Sequence, residues 1–193
     1  MKLVAAVPLA LLLGVLLIAG RFGDAVAQFS APAFNPCPAA GVTVAAADGF
    51  RLTYQGRAGD DPAVCLVDGL RIFQNVGLDG DAQRRAALRE LVPFQLGRTA
   101  TTFVQGSNAF WREDYQVVDR RRILTRAGEF ETWVLRYSVT NMTTGVLFGR
   151  IVAFLDVRTG VMVRRDVHFI SGFDPSWPVP FEAIGISLNG PAS

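Results

Sequence analysis

The stretch Gly128-Glu129-Phe130-Glu131-Thr132-Trp133-Val134-Leu135-Arg136-Tyr137-Ser138-Val139-Thr140 alternates apolar and polar side chains with a period of two. Trp133, Leu135, Tyr137 and Val139 take one face; Thr132, Arg136, Ser138 and Thr140 take the other, with Val134 the exception. Because successive strand residues point to opposite faces, this spacing predicts a β-strand with one buried side. Its neighbours read the same way. Tyr115–Thr125, Val146–Asp156 and Val161–Ser171 are predicted strands, set apart by Ala127-Gly128, residues 141–145 and residues 157–160. Four successive strands with short polar turns predict an antiparallel β-meander.

In the last of these strands Val161, Val163, Val167 and Phe169 share a face opposite Met162, Arg164, Asp166 and His168. The third, Val146–Leu155, is apolar on both faces, which predicts a central strand covered on both sides or one beside an apolar cavity. Toward the N-terminus, short β-type runs at Val42–Ala45, Phe50–Tyr54, Val64–Val67 and Leu70–Gln74 are broken by Asp48-Gly49, residues 59–62 and Asp68-Gly69. Asp-Gly between β-formers is a hairpin signal. Asp81 caps a predicted helix over Ala82–Leu91 that Pro93 ends; its Ala86, Ala87, Leu88 and Leu91 are spaced to face a sheet, leaving the arginines solvated. An aromatic, proline-rich loop around Trp177 precedes a predicted edge strand, Glu182–Leu188. The fold class is mainly β (α+β): a curved antiparallel β-meander sheet or half-barrel with one short helix.

The run from Val118 to Thr132 contains the turn Ala127-Gly128-Glu129-Phe130, and the later run from Phe154 to Arg164 contains Asp156 and Gly160 in a hairpin before a strand that ends basic. Together they resemble exported bacterial β-proteins of unknown function, which share an Ala-Gly-x-Phe turn and an Asp-x-x-x-Gly hairpin. The resemblance implies a curved antiparallel sheet in the cell envelope. It brings no catalytic residues with it.

Residues 1–27 read as a signal peptide. Lys2 supplies the positive start, Leu3–Gly20 the apolar stretch, and Ala25-Val26-Ala27 a small-x-small cleavage pattern. An uncleaved anchor is the alternative, because the apolar stretch is about long enough to span a bilayer. Residues 28–41 read as an extended lead-in and 42–193 as a single mostly β domain, expected in the periplasm or secreted. In an oxidising compartment the chain's two cysteines, Cys37 and Cys65, are expected to form a disulfide.

The basic residues are 18 arginines and one lysine, Lys2, so the domain beyond the leader has no lysine. That excludes Schiff-base chemistry, pyridoxal phosphate attachment and a phosphate-loop lysine. A lone histidine, His168, cannot build a two-histidine zinc site, and neither a Gly-x-Ser-x-Gly elbow nor a Gly-x-Gly-x-x-Gly turn occurs. A formal charge of +2 gives no field for nucleic acid. No catalytic residue, metal site or cofactor is assigned.

The expectation is a non-enzymatic cell-envelope protein that binds an apolar or lipid-like ligand or docks on an envelope protein. The membrane is a partner only if the leader stays on. Trp133, Tyr137, Phe148 and Phe154 are the candidate ligand-binding residues. Arg120, Arg121 and Arg122 form the one dense basic run, with two side chains facing one way and one the other; Arg136 and Arg164 on neighbouring strands extend it. The alternatives are an exported hydrolase using two of Glu113, Asp114, Glu129 and Glu131, or a membrane-anchored structural subunit.

Overall fold

The computed structural model describes residues 37–61, 63–73, 77–78, 82–106, 109–171 and 179–188. The expected leader, most of the lead-in, Asp81 and the loop with Trp177 lie outside the described residues. Strands β1 (Thr43–Ala46), β2 (Arg51–Arg57), β3 (Val64–Val67), β4 (Leu70–Phe73) and β5 (Gly77–Leu78) precede helix α1 (Ala82–Arg89). Strands β6 (Thr99–Gln105), β7 (Phe110–Thr125), β8 (Gly128–Asn141), β9 (Val146–Asp156), β10 (Met162–Phe169) and β11 (Phe181–Ser187) follow it. All join one antiparallel sheet in the order β5-β4-β3-β2-β1-β11-β10-β9-β8-β7-β6, and its two outermost strands do not pair, so the sheet stays open. The fold is mainly β, and β7 to β10 form the meander that the alternation predicts.

Strand β11 departs from expectation. Instead of an edge it lies in the middle, between β1 and β10, and joins the N-terminal strands to the meander. Its short, mixed sequence reads as an edge. The structure uses its small Ala183, fully buried, to let the two halves of the sheet meet closely. Strand β6 was not predicted, and β7 begins five residues before the expected Tyr115. At the β3–β4 turn Asp68 and Gly69 both take positive φ, 49° and 77°, the conformation a two-residue hairpin needs.

The sheet is strongly curled. In a flat sheet β7 and β11, four places apart, would be separated by about 19 Å at the usual strand spacing. Yet Ala127, at the β7–β8 turn, donates its N–H to Ala183 O in β11 at 3.0 Å. Met162 N in β10 likewise reaches the Tyr54 hydroxyl of β2 at 3.1 Å. Helix α1 lies in the chain between the two edge strands, β5 and β6. Its Leu88, with Leu91 and Phe94 just beyond, is buried in the same core as Tyr54, Tyr115, Val117, Leu135 and Leu155. Cys37 and Cys65 form a disulfide, Cα–Cα 5.3 Å, that ties the end of the lead-in to β3.

The doubly apolar strand β9 is central, between β8 and β10. Its outward Phe154 is nearly fully buried, with the guanidinium groups of Arg121 and Arg164 each 5.4 Å from its ring. Val134, the exception to alternation in β8, is the register partner of Phe154 on that outer face. Arginine stems thus cover apolar surface that would otherwise meet water.

Candidate functional site

Strand register arranges the inner face in rows. One row reads Val117, Leu135, Ala153, Arg165 and Phe181 across β7, β8, β9, β10 and β11; the next reads Tyr115, Tyr137, Ile151 and Val167. Arg165 therefore rises from the apolar side of the sheet, beside a small alanine. Arg164 and Asp166, on either side of it, point outward and bond to each other at 2.8 Å.

Arg165 donates from Nε to the carbonyl of Val179 at 2.8 Å and lies 5.2 Å from the Phe181 ring centroid. Among the described residues no carboxylate pairs with it. Burial pulls its guanidinium below the ordinary arginine value, opposed by the nearby phenols of Tyr137 and Tyr54. An arginine keeps its charge even so.

The other charges on this face cancel. Glu113 of β7 pairs with Arg84 of α1 at 2.8 Å, and the Tyr115 hydroxyl donates to Glu113 at 2.7 Å. Burial works against the Arg84 charge, but Tyr115 and Glu113 outweigh it and hold the group above its ordinary value. Around Tyr137, among the described residues, two arginines and one carboxylate leave a net single positive charge. Tyr137 lies between these groups, stacked on Tyr115 with centroids 5.2 Å apart. Burial first, then Glu113, pushes its phenol above the ordinary value, with Arg165 and Arg84 opposing. It is a neutral hydrogen-bond donor and acceptor beside a cation.

From Arg165 toward the β8–β9 turn, the inner face carries the half-buried Val167, Phe169, Phe148 and Trp111. Phe148 meets Trp111 and Phe169 edge to face, at 5.5 and 6.3 Å. In the opposite direction the face is filled by Leu135, Leu155, Val161 and Val163. The site is thus a half-buried aromatic surface with a single excess cation at its inner end.

Of the four expected ligand residues, Tyr137 and Phe148 belong to this surface. Trp133 packs on Phe94 at 6.3 Å, in the filled half, and Phe154 faces outward. The four do not line a common pocket. Arg120 and Arg122 share a face and Arg121 takes the other, as a bulge in β7 between Val117 and Asp119 resets the alternation. Each has an acid beside it: Glu131 for Arg120, Asp119 for Arg121 and Glu129 for Arg122. Arg136 donates to Gln116 on the outer face. The acids proposed for a hydrolase are held apart by different arginines, Glu113 by Arg84, Asp114 by Arg112, Glu129 by Arg122 and Glu131 by Arg120.

Arg165 had a signal in the sequence. Period two from Val163 to Val167 puts it on the apolar face, where an arginine calls for a partner. A separate shallow cleft of about 230 Å³ lies between the β1–β2 turn and the start of β11, lined by Ala46, Asp48, Arg126, Pro180, Phe181 and Glu182. Its charges are mixed, and the Glu182 carboxylate accepts from Arg126 N at 3.2 Å. Among the described residues no helix is long and apolar enough to cross a membrane. No protein-family model, curated protein or solved structure matches this chain.

Proposed function

We propose that this is a non-enzymatic exported protein of the cell envelope that binds a lipid-like molecule with an anionic head. The observation that carries the reading is Arg165, a half-buried guanidinium on the inner face with no carboxylate paired to it among the described residues. Removing a charge from water is costly unless it is paired, so an anion arriving there gains a charge-assisted hydrogen bond that the free protein lacks. Tyr137 offers a second polar contact. Val167, Phe169, Phe148 and Trp111 supply the apolar track for a chain. Ligand sites combine mostly apolar lining with a few placed polar groups, and this surface has that composition. The dispersal of the carboxylates over different arginines supports the non-enzymatic reading over the hydrolase.

Calorimetric titration with laurate and with dodecanol separates head from tail. Laurate is expected to bind more tightly, and Arg165→Gln to weaken it about tenfold or more, since a hydrogen bond to a charged group contributes roughly 1.5–3 kcal/mol. Equal binding of acid and alcohol, or no binding of either, contradicts the reading.

A further inference from the structure

One end of the sheet carries an exposed apolar rim. Phe103, Phe110, Met142, Val146 and Ile170 are between 37% and 53% exposed, and they come from the ends of five consecutive strands, β6 to β10. Phe103 and Phe110 stack with centroids 5.6 Å apart. Met142 N bonds to Phe110 O at 2.8 Å, Val146 is the register partner of Asn141, and Ile170 N bonds to Phe148 O at 2.9 Å. These links make the rim continuous, about 19 Å across at the usual strand spacing. Isolated exposed apolar residues are ordinary, but a continuous row of them marks a contact surface.

Several backbone groups at the described tips are hydrogen-bonded within the protein. Gly106 N donates to Ala109 O, and Gly145 N to Asn141 O. The Asn141 side chain accepts from Thr143 N and Thr144 N at 2.9 and 3.2 Å. Polar backbone that finds its partners inside the protein can enter a low-dielectric layer without an unpaired group. Apart from β6, whose free edge carries Phe103, the strands that bear the rim are paired on both sides and offer no edge to a strand from another protein.

The charge beside the rim has a sign. Arg150 and His168 face each other in register on β9 and β10, both exposed, and among the described residues no carboxylate pairs with Arg150. Arg112 and Asp114 neutralise each other nearby. We infer that this rim seats on an anionic lipid bilayer, with the aromatic and aliphatic tips in the interfacial layer and Arg150 at the headgroups. Aromatic side chains favour that layer, and basic groups near the surface are drawn to anionic lipid. The inference is independent of the ligand reading: it needs neither Arg165 nor the inner face.

The test places an environment-sensitive dye at the rim. Among the described residues there is no free cysteine, so Met142→Cys supplies the attachment point, with Leu124→Cys, 78% exposed on the far hairpin tip, as control. On adding phosphatidylglycerol vesicles the Met142→Cys dye is expected to shift to the blue, the Leu124→Cys dye to stay unchanged, and phosphatidylcholine vesicles to give little. Phe110→Asp with Ile170→Asp is expected to weaken the response about tenfold or more, and Arg150→Glu about fivefold. All five substituted positions are exposed, and thermal melts check that the variants fold. A retained leader tethers the protein in every variant but does not move the dye at residue 142 into lipid. A rim dye that stays unshifted, an equal shift on neutral vesicles, or a response unaffected by Phe110→Asp with Ile170→Asp overturns the inference.

Discussion

The chain's three tyrosines, Tyr54, Tyr115 and Tyr137, all lie inside the curl. Burial is the leading cause that raises each phenol above its ordinary value near 10. A raised folded value stabilises the neutral form, so this contribution is fully present below the unfolded value and is lost as pH rises through the folded one. Stability limited by these phenols is therefore expected to hold through neutral pH and fall above about pH 10. Tyrosinate absorbance should appear together with unfolding; a tyrosine titrating normally in the folded protein would contradict the placement. Leu135 and His168 make a sharper pair. Leu135 is 1% exposed on the inner face and His168 is exposed on the outer. Leu135→Ala is expected to cost about 2–5 kcal/mol and His168→Ala no more than about 0.5, as measured by denaturant melts. Their orientations were legible from alternation alone. That the three tyrosines converge was not, because Tyr54 reaches β10 through the curl and through strands placed between them by β11.

At the scale of elements, what local pattern could reveal was found and what pairing decides was missed. Strands β8 and β10 show in the sequence because each alternates, β9 because it is a long run apolar on both faces, and the β3–β4 hairpin shows in Asp68-Gly69. Strand β6, with Thr99, Thr101, Thr102 and Gln105, lacks an apolar side and takes its place by pairing with β7. The bulge in β7 leaves no mark in composition, yet it decides which way Arg120 and Arg121 face. β11 acquires its central role only from neighbours distant in the chain. The Cys37–Cys65 disulfide, by contrast, was expected from the even cysteine count and is present. It closes a loop with a sequence separation of 28. Opening a loop of that size is expected to cost roughly 3–4 kcal/mol in the chain-entropy picture, so the denaturant midpoint should fall on reduction. An unchanged midpoint would mean that the lead-in contributes little to the fold.

The whole molecule joins two devices at the same end of a curled, open sheet. Arg165, with no carboxylate paired to it among the described residues, lies part-way down an aromatic inner face, and an apolar rim borders it. The proposed ligand meets both a charge and a track, whereas the filled half around Leu135 and Leu155 supplies rigidity. Of this arrangement, alternation in the sequence placed Tyr137 on the inner face; that Arg165 stands there without a carboxylate among the described residues needed the register of five strands to be seen. Native mass spectrometry of the protein purified from its own cells tests the central claim most directly. The chain is expected to carry an anionic amphiphile whose occupancy drops sharply in Arg165→Gln, while the variant stays folded. A bare chain in both proteins, or an amphiphile held equally by both, would contradict it.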